Sequence, residues 1–304
     1  MKEEFIEALS YLAEKDPNVM VLSGDLGFAV FNDFIARFPK QFLNVGIAEQ
    51  NMSGLATGLA LEGKIIFTYS IGNFPTLRCL EQIRNDICYH DCHVIIVSIG
   101  GGFSYGPLGI SHHATEDISI MRALPNIKVV CPATDRDAYN ATLELYHHKG
   151  PAYLRLDKSK VASPEESQFK LGKSTQWTDG KDITLISTGG ILEEVLNAQK
   201  QLAQKNVNAR VIDMSSIKPF DKDAVIKASR ETGGVVAIEE HTTHGGLGGI
   251  ISESLMQSGV YPKKFLSIGL ESEFSSIVGS QTYLRHQYKM DAENITSRVL
   301  QLLN

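Results

Sequence analysis

The feature that most constrains this chain is an alternation of short apolar runs with longer amphipathic segments along almost its whole length. Apolar residues recur at helical spacing over residues 3–13 (Phe5, Ile6, Leu9, Leu12), and the compact run Val19-Met20-Val21-Leu22 follows. Strand-like runs return at 65–67, 94–99, 127–130 and 153–156, between helical patterns at 49–61, 76–89, 117–124 and 135–147. The second half repeats the scheme, with strands predicted at 182–187, 209–212, 234–238 and 265–268 and helices at 192–204, 222–230, 250–257 and 292–303. Such strand–helix repeats imply mainly parallel sheets covered by helices on both faces. The stretch 159–180 is polar and has no sustained apolar period, so it is predicted to be a linker. The expected fold is therefore α/β with two doubly wound domains, 1–158 and 181–304. A length of 304 residues suits two domains of about 150 each.

Composition narrows the function classes. The formal net charge is -6, with no basic excess to neutralise a phosphate backbone, so no nucleic-acid role is expected. No apolar run reaches the roughly 18–20 residues of a membrane span. The opening Met1-Lys2-Glu3-Glu4 has no apolar signal core. Four cysteines do not make a disulfide scaffold, and the expected location is a reducing cytoplasm.

In open parallel sheets ligands bind beyond the carboxyl ends of the strands. The loops predicted there are 23–31, 46–52, 69–75 and 100–113. The last is rich in glycine and ends in His112-His113, which titrate near neutrality. These residue types fit a ligand loop, and they also fit a solvated surface turn. Glu49 stands before a largely apolar helical pattern, where a carboxylate facing the helix dipole needs no further role. The cluster Cys88-Tyr89-His90-Asp91-Cys92-His93 lacks the two separated ligand pairs of a structural zinc site, and no metal ligands are expected in this chain. The glycine-rich run after Glu239-Glu240-His241 lacks both the P-loop Lys-Ser/Thr and the full dinucleotide fingerprint.

Three ordered motifs change the weighing: Val45-Gly46-Ile47-Ala48-Glu49-Gln50-Asn51-Met52, then Glu81-Gln82-Ile83-Arg84-Asn85, then Ser111-His112 through Glu116-Asp117-Ile118 to Met121-Arg122-Ala123-Leu124-Pro125-Asn126. With Asp213-Met214-Ser215-Ser216-Ile217-Lys218-Pro219 and Glu239-Glu240-His241, they resemble the C-terminal half of transketolases over nearly the whole chain. The likeness is closest to the C-terminal subunit of split, two-chain transketolases. It extends to deoxyxylulose-phosphate synthase and, more distantly, to the beta subunit of 2-oxo-acid dehydrogenases.

The resemblance implies a pyrimidine-binding domain over 1–158 and a transketolase C-terminal domain in the remainder. It implies thiamine diphosphate bound between subunits. The Mg²⁺ ligands are expected on the partner, because no Gly-Asp-Gly diphosphate motif occurs here. The implied partner is an N-terminal transketolase subunit, in an α2β2 heterotetramer acting on small sugars. The resemblance makes Glu49 the acid that hydrogen-bonds the aminopyrimidine ring and activates the cofactor. It makes His112 the histidine that contacts substrate oxygen. Phe74 matches an aromatic that packs on the pyrimidine ring, Asp25 an acid near the cofactor, and Ile47 lies in the Glu49 motif. Tyr69 could compensate for Ile71, where relatives carry a first aromatic, and a plain core residue fits it equally. Arg155 matches an arginine that binds phosphate, and His113 offers a second polar contact to substrate.

The chain also departs from the pattern. Gly100 stands where the family often has a histidine, and Pro107-Leu108 where it has an acid pair. Leucine offers no hydrogen-bonding group. The expected substrate is therefore a phosphorylated or nucleotide-linked sugar recognised differently from pentose phosphates. Two other readings stay open at this point. One is a 2-oxo-acid-decarboxylating subunit, which release of CO₂ would reveal; the other is a noncatalytic scaffold, against which intact Glu49 and His112 argue.

Overall fold

The computed structural model describes residues 1–26, 30–158, 161–163 and 169–304. Residues 27–29 of the first predicted loop, and residues 159–160 and 164–168 of the predicted linker, lie outside the described residues. Two sheets form, as the alternation of segments implies. The first contains β1 (Val19–Ser23), β2 (Phe42–Asn44), β3 (Ile65–Ile71), β4 (Val94–Ile99), β5 (Lys128–Val130) and β6 (Ala152–Leu156). The second contains β7 (Thr175–Thr178), β8 (Ile183–Thr188), β9 (Ala209–Asp213), β11 (Val235–Thr242) and β12 (Phe265–Leu270), while β10 (Ser216–Lys218) crosses back to the first.

The order of the first sheet is β10-β5-β6-β4-β3-β1-β2. Its neighbours are parallel except β10, which runs antiparallel to β5. The second sheet runs β12-β11-β8-β9-β7, and only β7 is antiparallel. The strand β7 lies inside the predicted linker, so 175–178 belongs to the second sheet rather than to a connection. Strand β10 shows that the halves also exchange structure: a segment from the second half closes an edge of the first sheet.

Helices cover both faces of the first sheet. Lys2–Lys15 packs with Asp135–His147 on one face, burying Phe5, Leu9, Phe67, Ile95 and Leu154. Glu49–Leu61 lies on the other face, where Met52, Ile66, Ile83 and Ile96 are buried. Burying each such side chain contributes roughly 1.5–3 kcal/mol. Residues 76–89, predicted as one helix, form a tight turn at Leu77–Cys79, a short helix at Leu80–Gln82 and a π-helical turn at Ile83–Cys88. Single π turns of this kind often mark functional segments.

The strand order places a ligand crevice without reference to any motif. The chain leaves β1 for β2 on one side and then crosses to β3 on the other, so the connection reverses around β1. Such a reversal opens a crevice at the carboxyl ends of the strands concerned, here β1 and β3.

Candidate active site

The crevice is built from the segments that leave β1, β2 and β3 at their carboxyl ends. Strand β1 runs into Gly24, β2 leads to the helix that starts at Glu49, and β3 ends at Ser70-Ile71-Gly72. Glu49 is 2% exposed, yet it faces polar groups and not a hydrocarbon core. Arg78 Nη1 donates to Glu49 Oε2 at 2.7 Å, and Ser70 Oγ reaches Oε1 at 3.5 Å. A Cβ on Gly24 would lie 3.4 Å from Glu49 Cγ and 3.5 Å from Oε1, so the glycine leaves the carboxylate room beside β1.

Arg78 ties this carboxylate to the aromatic side of the crevice. Its guanidinium carbon lies 4.4 Å from the centre of the Phe74 ring, a cation–π contact. The edge of His112 meets Phe74 at a centroid distance of 5.2 Å. Three of the residues expected from sequence, Glu49, Phe74 and His112, therefore form one continuous cluster with Arg78. Burial, with His113 beside it, lowers the pKa of His112 below the ordinary 6.5. The imidazole is thus mostly neutral at pH 7, able to accept a proton at one nitrogen and donate at the other. The Cys79 thiol, next to Arg78 in the chain, is pushed up to about 11 chiefly by burial, so it is no nucleophile here.

The other expected residues divide. Asp25 is exposed beside Gly24, with Oδ1 accepting from Asn44 Nδ2 at 2.9 Å. Ile47 is 79% exposed, two residues before Glu49. Both stand at the rim of the crevice.

Tyr69 does not face it. Successive strand residues point to opposite faces, so with Ser70 turned toward Glu49, Tyr69 turns away. Its ring stacks on Phe5 at 6.1 Å and meets Phe31 edge-on at 5.0 Å; it is a core residue and does not replace the missing aromatic at Ile71. His113 is also corrected. It is fully buried, its Nε2 meets the Gly106 carbonyl at 3.1 Å, and its ring stands edge-on to Phe103. It offers substrate nothing directly.

Arg155 is the largest correction. It is 1% exposed. Its Nε donates to Asp117 Oδ2 at 2.9 Å and its Nη1 to Asp157 Oδ2 at 3.0 Å. Its Nη2 donates to the carbonyls of Ala114 and Glu240, at 3.0 and 3.1 Å. These partners occupy all three of its nitrogens, and the Glu240 carbonyl belongs to the second sheet. Arg155 joins the two halves and is not free to hold a phosphate.

The cation that does reach the open end of β6 is Lys158, two residues beyond the strand. It is exposed, donates to the Ser104 carbonyl at 2.9 Å and sits 5.3 Å from the Tyr105 ring centre. Sequence reasoning missed Lys158 and Arg78. For Lys158 the strand-end rule was available, since Arg155 lies within β6 and Lys158 beyond it. For Arg78 the signal was the need of a buried carboxylate for a cation. Among the described residues no group of three or more His, Cys, Asp or Glu could hold a metal ion.

Comparison with known proteins agrees with this architecture. Residues 1–164 match the family model of the transketolase pyrimidine binding domain, and residues 172–295 that of the transketolase C-terminal domain. The chain is 36% identical over 306 residues to a putative transketolase C-terminal section of Methanocaldococcus jannaschii, covering 99% of this chain and 95% of that one. It is 34% identical over 306 residues to a subunit of the apulose-4-phosphate transketolase of Phocaeicola vulgatus, covering 99% and 97%. A solved split gene transketolase, described as an inactive beta4 tetramer, superposes with a TM-score of 0.90 at 35% identity, covering 99% of this chain and 97% of that one.

Proposed function

We propose, because this chain belongs to the transketolase family and spans its pyrimidine-binding and C-terminal domains, that it transfers a two-carbon ketol unit between sugars as the C-terminal subunit of a split transketolase. The relatives cited are covered over 95% or more of their own length. The observation that carries the reading is the Glu49 carboxylate, buried at the strand-order reversal and joined through Arg78 to Phe74 and His112.

The family's cofactor is thiamine diphosphate, and the residues of the crevice fit its pyrimidine end. A buried carboxyl group, in its protonated form, can donate a hydrogen bond to a ring nitrogen, and Phe74 supplies an aromatic neighbour. When bound, the cofactor supplies the nucleophilic carbon that carries the ketol unit. Glu49 would hold the pyrimidine edge and its proton, with Asp25 and Ile47 at the rim. Arg78 would orient the Glu49 carboxyl. His112, held neutral, would take a proton from a substrate hydroxyl and return it, or donate to a substrate oxygen as charge develops there. The diphosphate and its Mg²⁺ would be held by the partner subunit. An α2β2 assembly brings the two parts of the site together in this reading. Four unpaired, buried cysteines support a cytoplasmic setting, and no helix among the described residues is long and apolar enough to cross a membrane.

The test is co-purification with an N-terminal partner, followed by a donor and acceptor screen with thiamine diphosphate and Mg²⁺. Ketol transfer without CO₂ release, lost in Glu49→Ala, is the expected result. Full turnover by Glu49→Ala in the assembled enzyme would remove the assignment.

A further inference from the structure

His112 belongs to no helix or strand. It lies in the loop that leaves β4, where Pro107, Leu108, Ile110 and Ser111 are exposed. The loop is closed at its base by a bridge between Gly102 and Ala114. The Gly102 N–H donates to the Ala114 carbonyl at 2.8 Å, and the Ala114 N–H returns to the Gly102 carbonyl at 3.0 Å. On the side of the crevice, Asn73 Nδ2 donates to the His113 carbonyl at 2.7 Å. The place of His112 against Phe74 therefore depends on what holds this base.

Much of that hold comes from the second half of the chain. Glu240, in β11, is buried, and its Oε1 accepts the Phe103 N–H at 2.5 Å. Gly102 admits the acid: its φ is +57°, and a Cβ there would lie 2.5 Å from Glu240 Oε1. The helix Gln281–Gln287 grips Glu240 from behind. Arg285 Nε donates to Oε2 at 2.5 Å, and Gln281 Nε2 donates to Oε1 at 3.0 Å. Arg285 Nη2 reaches on to the Gly190 carbonyl at 3.2 Å, beyond β8. Three further contacts surround this one. The Thr242 N–H donates to the Thr115 carbonyl at 2.7 Å, the Gly279 N–H to the Gly106 carbonyl at 3.4 Å, and the Tyr288 ring stacks on Phe103 at 5.4 Å.

Packing alone does not call for this arrangement, since an apolar pair of similar volume is often as stable as a buried ion pair. What the carboxylate adds is direction. With Oε2 paired to Arg285, Oε1 is aimed at one backbone N–H of the histidine loop, in a charge-assisted hydrogen bond stronger than a neutral one.

We propose that Glu240, oriented by Arg285 and Gln281, is a positioning residue for His112: the second half fixes the base of the loop and so sets the histidine in its working place. This rests on the ketol-transfer reading above and adds to it a kinetic role for the second half of the chain.

The experiment uses the assembled two-subunit enzyme. Glu240→Gln keeps the size and removes the charge. It should lower kcat about 10- to 100-fold, with KM changed much less, because a displaced catalytic group costs transition-state stabilisation. Deuterium exchange at the reactive carbon of bound thiamine diphosphate, which depends on Glu49, should stay within about twofold of wild type. In a His112→Asn background the same change should cost almost nothing further, since residues that act as a unit are not additive. Gln281→Leu leaves the Glu240–Arg285 pair intact and decides the matter if Glu240→Gln does not fold. It should lower kcat about threefold or more, again only when His112 is present. An unchanged kcat in these variants, an equal loss with and without His112, or a fall in exchange that matches the fall in kcat would overturn the proposal. Exchange indifferent to Glu49→Gln would instead overturn the functional reading beneath it.

Discussion

Two arginine–carboxylate pairs, Arg78–Glu49 and Arg155 with Asp117 and Asp157, sit in the same α/β unit and have opposite meanings. The Arg78–Glu49 pair is one ion pair at 2.7 Å, with the arginine 44% exposed and the acid almost fully covered. Around Arg155 all the side chains are buried, and every nitrogen of the guanidinium is engaged. Glu49 can exchange its partner for a ligand group without stranding a buried charge, because Arg78 can turn to water. Arg155 cannot leave without stranding two acids. A buried charge becomes available for chemistry when its counter-ion has access to solvent.

The largest expected effect is on the open pair. Glu49→Gln keeps the shape and removes the ionisable carboxyl. Turnover and deuterium exchange at the cofactor's reactive carbon should fall by on the order of 10³-fold or more, while the melting temperature stays near that of the wild type. An enzyme within tenfold of wild type would break the contrast.

Next in size is the closed pair. Arg155→Met should destabilise the fold by about 3–5 kcal/mol, because it leaves Asp117 and Asp157 buried and uncompensated. Denaturant unfolding measures this directly. A variant that unfolds like wild type but shows a raised KM for phosphorylated sugars would return Arg155 to substrate binding and end the comparison.

The two histidines that accompany these pairs should respond to pH in opposite senses. His112 has its pKa lowered by burial and by His113, so it loses its basic form only as the pH falls below the usual 6.5. The acid limb of kcat/KM should therefore lie below that value, and His112→Asn should remove it. His241 lies in the closed region. Burial alone would lower its pKa, but Glu239 and then Asp117 more than offset this and raise it. Its stabilising contribution is full below the unfolded value near 6.5 and is lost as the pH rises through the raised folded value. Stability against denaturant should thus decline from pH 6 toward pH 8 in the wild type, and decline less in His241→Gln. Equal slopes in the two proteins would dissociate His241 from the network.

How much of this was legible in the sequence depends on which physical rule each part obeys. The alternation of segments was enough for two mainly parallel sheets, since burial on both faces imposes apolar strands. It could not reveal β10, three residues of the second half that join the first sheet, because pairing across a long separation leaves no local period. Glu49 and His112 were singled out through the order of motifs and Phe74 through its match to a family aromatic, and the fold brings the three side chains together. Tyr69 and Arg155 were misplaced for one shared reason: both lie within strands, where alternation and depth decide which way a side chain points. His113 was misplaced by its neighbour, since adjacent residues in a tight loop can face water and core in turn. Arg78 and Lys158 answer to three-dimensional needs, a counter-charge and a strand end, that no spacing rule records.

The smallest expected effect tests whether Phe74 belongs to the open pair or only to its surroundings. Its ring holds Arg78 on its face and the edge of His112, so Phe74→Leu removes both aromatic contacts and keeps most of the apolar volume. An aromatic contact contributes about 1 kcal/mol beyond burial, which corresponds to roughly a fivefold change in an equilibrium constant. The apparent affinity of the assembled enzyme for thiamine diphosphate should weaken by about that factor, with kcat changed less. Phe74→Tyr, which keeps the ring, should restore it. If Leu and Tyr behave alike, the ring packs without recognising anything. The open cluster would then reduce to Glu49, Arg78 and His112, with no aromatic link between acid and base.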